Sequence, residues 1–551
     1  MSAPNRPRWP LLVTLMAGVG ALIAVTYLAS SSPAGEELPA RGGAYVEGVA
    51  GAPARINPLF ATFNEVDRDL ASLLFSGLVR LGRSGEVEPD LAESWRVAPD
   101  GRTYSFQLRS GLFWHDGEPL TASDVLFTIR AIQDPEFRGD PVLADLYRDA
   151  QVEAPNNTTV IVTLPSPFAP FLARGATVGI LPEHLLAGLD AAALFDAPFN
   201  TQTVGSGPFR LAELALDRAA LQSFDSYHLG RPFLDQLELR FFPDSATLLT
   251  AVVEDEVDGA FFRPGLDADE VALLDGEDSR RRTVLYGTAH SVVYLNPAVA
   301  AFAQADVRRA LQLGLDRGTL IEQALGGQAL PIDSPIARDL WAHESFPDAY
   351  AFDLEQAQGL LDTAGWPLGP EGRARDGAAL SFTLASSDDP VQARVAEEIA
   401  RQWNELGARV TVETSGASQF VEDVLLPRQF EAALVTIDPG PDPDPYPFWH
   451  SSQSLGQGRN LVAFSNPDAD RLLEDARQTT SASTRFEDYR AFQEIFAREL
   501  PAVLVSTPAY QYVVPKDVQG VQPGLLATLG ARFRNVHLWY VETEPRPDES
   551  T

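Results

Sequence analysis

Around position 105 the chain alternates: Tyr104, Phe106 and Leu108 are apolar, whereas Ser105, Gln107 and Arg109 are polar. A period of two is the mark of a strand with one face buried and the other wet. Pro99-Asp100-Gly101 precedes this strand as a turn, and His115-Asp116-Gly117-Glu118-Pro119 follows it as a second. Thr121 then stands three residues before Asp124. That spacing suits a variant capping box, in which each side chain satisfies a free N–H at a helix start. The helix runs through Ile129 and stops ahead of Asp134-Pro135. The first part of the chain, from about Gly42 to Ile132, is therefore mixed and strand-rich.

From about 290 to 500 the pattern changes to strand-helix alternation. Val307, Ala310, Leu311 and Leu315 share one face of a helix predicted over 306–325. Asp353 caps a helix that turns Leu354, Ala357, Leu360 and Leu361 inward and closes at Gly365. Next come a strand over 380–385, a helix over 390–406 ended by Gly407, and a strand over 409–412. A helix near 420–425 and a strand over 430–435 continue the series. Alternation of this kind predicts a parallel sheet covered on both faces.

The N-terminus has its own pattern. Arg6 and Arg8 precede an uncharged stretch over about 10–29, and Glu36 and Glu37 follow it. The basic end stays cytoplasmic and the rest of the chain lies outside. About twenty apolar residues suffice to span a bilayer, so the segment is either an anchor or a signal peptide cleaved near Ser32-Pro33-Ala34. Residues 30–41, with Pro33 and Pro39, read as a linker.

The length, 551 residues, calls for more than one core. With 76 acidic against 42 basic residues the formal charge is -34, a field that repels nucleic acid and anionic membrane surfaces. The chain has no cysteine, which removes disulfides, thiolate metal sites, cysteine nucleophiles and a lipid-modified cysteine anchor. The last of these tilts the N-terminal segment toward an anchor. Phosphate-loop, zincin, nucleophile-elbow and dinucleotide motifs are absent. The seven histidines are scattered without ligand spacing. Neither catalysis, nor a metal, nor a cofactor is expected.

Several segments carry a resemblance. Leu91-Ala92-Glu93-Ser94-Trp95, Asp100-Gly101, Tyr104 through Arg109, Gly111, His115-Asp116-Gly117 and Leu120 through Val125 follow one another closely. Asn57-Pro58-Leu59, Leu74-Phe75-Ser76-Gly77-Leu78, Val204-Gly205-Ser206-Gly207-Pro208-Phe209, Val307-Arg308-Arg309-Ala310-Leu311, Asp316-Arg317, Ala364-Gly365-Trp366 and Asn466-Pro467 accompany them in order. Together they resemble the family 5 extracellular solute-binding proteins, the peptide-, dipeptide- and nickel-binding group. The resemblance spans about 42–540.

It implies an α/β chain with a type II periplasmic-binding-protein fold, two lobes joined by a hinge of crossing strands. Residues 1–41 are then the N-terminal segment and linker. The first lobe is built from 42–80, 205–290 and 502–542, with a subdomain inserted at 81–204. The second lobe is 291–501, and 543–551 form a tail. The implied function is the extracytoplasmic substrate-binding subunit of an ABC importer, a monomer that delivers a peptide-like or other small solute to permease subunits with their ATPases. A membrane-tethered receptor using the same trap is the alternative. Oligopeptides lead the implied solutes, followed by oligosaccharides, opine-like compounds and chelated nickel.

For the site, the resemblance points to the proline-rich run from Asp438 to His450, beyond the carboxyl end of a strand. In peptide-binding relatives an aspartate three residues before an Asp-Pro pairs with the ligand's α-amino group; here Pro441 or Pro439 holds that place. Asp438, Asp442 and Trp449 are the leading candidates. Asn64 and Glu65 in the first lobe, Tyr294 and Asn296 at the crossing, and Tyr510 at the return complete the set.

Overall fold

The computed structural model describes residues 37–275, 279–456 and 458–545. The apolar stretch over 10–29 lies outside these residues, and no helix among them is long and apolar enough to cross a membrane. Glu37–Ala40, expected as linker, is a short strand paired antiparallel with Glu542–Pro545, so the two ends of the described chain are tied together.

Both lobes grow from a single strand, Ala502–Pro515. Its first half pairs with His290–Leu295, and its second half with Arg280–Tyr286 and Gly259–Phe262. Only Gly287, Thr288 and Ala289 separate the two partner strands on the return path. The lobes are therefore connected by two crossing chains that belong to one sheet, the geometry of a hinge.

On the first-lobe side the sheet continues through Ala44–Ala50, parallel to both Gly259–Phe262 and Gln236–Phe242. The inserted subdomain carries a separate four-stranded antiparallel sheet with Thr103–Leu108 at its centre. Tyr104, Phe106 and Leu108 are buried and the residues between them are not, as the alternation predicts. The helix Ala122–Gln133 begins with the Thr121–Asp124 capping box complete.

In the second lobe Val293 and Leu295 enter one hydrophobic layer while Val292 and Tyr294 enter another on the opposite face. Successive side chains of a strand point to opposite faces, so a strand apolar at every position needs cover on both. The cover comes from Pro390–Glu405 on one side and Pro467–Gln478 with Ala482–Glu499 on the other. The sheet is mixed rather than parallel throughout. Ser381–Ser387 is parallel to its neighbours, but His290–Leu295, which enters from the hinge, is antiparallel to both of its own. The helix expected over 306–325 is two helices, Ala305–Leu313 and Arg317–Leu325. Asp316 caps the second by accepting from Thr319 N, and a side chain at Gly314 would meet Leu406 at 2.7 Å. Capping and close packing outweigh the continuous apolar face.

The Gly205–Pro208 turn is a packing device. A Cβ on Gly205 would lie 1.8 Å from the Leu74 carbonyl oxygen, and one on Gly207 would lie 2.5 Å from that of Leu73. His115 pins the turn: its Nδ1 accepts from Gly205 N and its Nε2 donates to Gly207 O, both at 3.1 Å. This arrangement needs the neutral ring, and burial pushes the His115 pKa down to about 4. A base with a depressed folded pKa contributes stability above its unfolded pKa, about 6.5, and loses it as pH falls toward 4. The protein is expected to lose about 3 kcal/mol through this group over that window. Urea unfolding at pH 7 and pH 4.5 measures it, and His115→Gln should show a correspondingly shallower loss.

Candidate functional site

The cleft is assembled around the hinge. The helix Glu65–Leu74 stands on the first-lobe side with its polar positions sorted. Asp67 accepts from Ala54 N and Arg55 N, at 2.7 and 2.9 Å. Asp69 is bound by both terminal nitrogens of Arg532, at 2.7 and 2.6 Å. Arg532, itself fully buried, also donates to Glu47 at 2.9 Å, which in turn accepts from Tyr45. Burial raises the Glu47 pKa against the opposing pull of Arg532. With these inward carboxylates fixed, Glu65 and Arg68 are left facing a cavity of about 410 Å³ between the lobes.

Gly287, Thr288 and Ser506 contribute hinge residues to that cavity. Tyr510 lines the first-lobe side, its ring stacked on Phe261 at 5.4 Å. Asp438 lines the second-lobe side, one residue beyond the strand Ala432–Ile437. Its Oδ1 accepts from the Thr288 hydroxyl at 2.6 Å and from Gly440 N at 2.9 Å. Gly440 has φ +79, a left-handed turn that folds the loop back onto the carboxylate. Both of these hydrogen bonds fall on Oδ1 of the carboxylate.

The rest of the proline-rich loop is fastened to the second lobe. Asp442 accepts from Arg485 at 2.6 Å, and Arg485 also donates to the Tyr489 hydroxyl and the Ala476 carbonyl. Asp444 receives Arg477 Nε and Nη2 at 2.9 and 2.8 Å. The inserted subdomain reaches the same loop, with Arg174 donating to Pro439 O at 2.7 Å.

Of the residues singled out from sequence, Glu65, Asp438 and Tyr510 meet in the cavity. The other five are placed elsewhere. Asn64 caps its helix, accepting from Val66 N and Asp67 N and donating to Ala52 O. Asn296 closes a turn, bound to Phe430 O and Ala298 N. Tyr294 and Trp449, each 1% exposed, pack edge to face in the second-lobe core at 6.0 Å. Asp442, 3% exposed, is spent on Arg485. Asp442 and Trp449, expected to lead the site, thus stand in a buried ion pair and a buried aromatic cluster, and neither lines the cavity.

Sequence reasoning passed over Arg68, Arg263, Asp389, Gln392 and Thr436, all of which line the cavity. For Arg68 a signal was present. Glu65, Arg68 and Ser72 recur at three- and four-residue steps on a helix whose other face is apolar, and Thr436 interrupts the apolar run 432–437 near its carboxyl end. Among the described residues no group of three or more histidine, aspartate or glutamate side chains is arranged to hold a metal.

The model of the bacterial extracellular solute-binding proteins, family 5 Middle, matches residues 86–459 of this chain. Protein XP55 of Streptomyces lividans is 31% identical over 481 residues, covering 86% of this chain and 83% of its own. The oligopeptide-binding protein AppA of Bacillus subtilis is 27% identical over 497 residues, covering 88% and 89%. The structure of AppA with a nonapeptide superposes with a TM-score of 0.68 at 24% identity, covering 92% of this chain and 100% of that one. NikZ of Campylobacter jejuni with Ni(L-His) also gives 0.68 at 24% identity, covering 90% and 99%.

The placement of Asp442 and Trp449 has a measurable consequence. Asp442→Ala strands Arg485 in the interior and is expected to cost about 3–5 kcal/mol of stability. Trp449→Ala empties a core position at a similar cost of about 3–5 kcal/mol. Urea unfolding reads both losses, and solute affinity of the folded fraction should stay within a factor of about two, a shift under 0.5 kcal/mol. Parent-like stability with lost binding would reverse the assignment.

Proposed function

The chain belongs to the bacterial extracellular solute-binding proteins of family 5, and from that premise we propose that it captures a peptide-like solute in the cleft at Asp438 and delivers it to an ABC permease. The family is one of solute receptors, and this chain is a substrate-binding protein rather than an enzyme. Its members work outside the cytoplasm. The N-terminal apolar stretch is assigned the task of export or anchoring, so that the lobes face the permease from outside.

Asp438 carries the reading. It is a charged group in the cavity whose position is set by the hinge link itself, through Thr288. A cationic group bound to Oδ2 is therefore tied to the segment about which the lobes turn. A solute that touches both walls favours the closed arrangement by its differential affinity for it. The closed form is then what docks on the permease, whose ATPase partners drive uptake. Relatives named for oligopeptide and D,D-dipeptide binding support a peptide-like solute. Pro441 or Pro439 stands where the resemblance places the amine-binding aspartate of peptide-binding members, and in this reading Asp438 takes over that task.

The test is a thermal-shift screen of the refolded, ligand-stripped protein against peptides, oligosaccharides and metal chelates. A solute at a hundredfold excess over its Kd adds about 3 kcal/mol of stability. Peptides are expected to give the shift. Asp438→Asn, which keeps an acceptor for Thr288, should weaken binding by roughly 10- to 100-fold. A shift with oligosaccharides alone, or one that Asp438→Asn leaves intact, contradicts the proposal.

A further inference from the structure

A second cavity, of about 350 Å³, lies where the inserted subdomain meets the second lobe. The subdomain lines it with Val142, Leu146, Leu164, Phe168 and Arg174, and the second lobe with Pro447, Arg459 and Arg477. The two walls are joined beside it. Ala169 N donates to Arg477 O at 2.7 Å, and the Arg477 guanidinium lies 5.2 Å from the centre of the Phe168 ring. The cavity shares no lining residue with the one at Asp438. Its volume falls within the roughly 300–1,000 Å³ of small-molecule sites.

The lining divides by chemistry into apolar side chains and three guanidinium groups, and the three are not equally matched. Arg477 is paired with Asp444. Arg174 gives Nη2 to Pro439 O, while its Nε is buried without a hydrogen-bond partner. Arg459 is exposed and makes no ion pair among the described residues. The one carboxylate in the lining, Asp145, is taken by Arg148. Two cations therefore stand without a counter-charge beside apolar surface, in a chain whose formal charge is -34. Salt screens the distant acidic surface within about 8–10 Å, so the local sign prevails here. A buried N–H of a charged group is costly unless an acceptor meets it.

We propose that this cavity is a second ligand site, which takes an amphiphilic monocarboxylate: an acyl or aryl body on the apolar lining and a carboxylate at Arg174 and Arg459. The ligand needs no amino group and does not enter the cleft, so the site stands apart from solute capture. A wholly apolar molecule would leave Arg174 Nε unmet, and an amphiphilic amine would add a further cation to those already there. A small inorganic anion would leave the apolar lining wet. A carboxylate accepts charge-assisted hydrogen bonds from guanidinium groups, roughly twice as strong as neutral ones. The molecule that satisfies both parts of the lining carries both.

Calorimetric titration of the full chain with octanoate, octanol and octylamine tests the assignment, since the three share one apolar body and differ in head group. Octanoate is expected to bind at least roughly tenfold tighter than octanol, the lower end for a charge-assisted hydrogen bond, and octylamine not to bind. Val142 and Arg459 are both exposed, so Val142→Glu and Arg459→Gln are expected to melt as the parent does. Each should weaken octanoate by roughly tenfold or more. Asp438→Asn, in the cleft, should leave the octanoate Kd unchanged. Equal affinity for the three probes overturns the proposal, as does an absence of octanoate binding. Octanoate affinity that falls in Asp438→Asn but survives both cavity variants places the molecule in the cleft and overturns it too.

Discussion

The strand Ala502–Pro515 is the constraint on which the rest depends. Its hydrogen-bond ladder is shared between the two lobes, with Ser506 through Ala509 at the crossover. A ladder of this kind is stiff along its length and yields where pairing changes partner, which here coincides with Gly287–Ala289 on the other strand. This crossover is the geometry of a hinge, and the residues that line the cleft are arranged about it. Tyr510 projects from the strand itself, and Thr288 from the companion crossing.

Buried ionic clusters hold the walls in register with that hinge. In the first lobe Arg532 joins Glu47 and Asp69, while Tyr512 of the hinge strand reaches Glu47 at 3.3 Å. Strand, helix and hinge are thus fixed together beneath Glu65 and Arg68. In the second lobe Arg485 and Arg477 hold Asp442 and Asp444, which settles where the loop can carry Asp438. Such clusters add little net stability, because desolvating the charges offsets most of their attraction. Their effect is positional: each cluster ties its wall of the cleft to its own lobe.

Much of this was legible in the sequence where the cause is local. The Thr121–Asp124 box, the Asp353 cap, the glycines at 365 and 407 and the alternation at Tyr104–Leu108 act within a few residues, and each was found as read. The family and its two-lobed fold were legible too, from motifs in order. The site was only partly so. Asp438, Asp442 and Asp444 look alike in the proline-rich run, and what separates them is Arg477 and Arg485, 33 and 43 positions further on from Asp444 and Asp442. Trp449 resembles a cleft aromatic until Tyr294 and Phe496 are seen to enclose it. Local pattern reveals caps and strands; it does not reveal which of several equivalent charges a distant arginine will claim.

The central claim is that the solute lies across the hinge, held from both lobes. A crystal structure of the full chain carrying a bound solute tests it most directly. The account predicts the solute between Asp438 and the first-lobe wall at Glu65, Arg68 and Tyr510, touching hinge residues at the base of the cleft. A solute seated wholly on one lobe, or in a different cavity with the cleft empty, would contradict it.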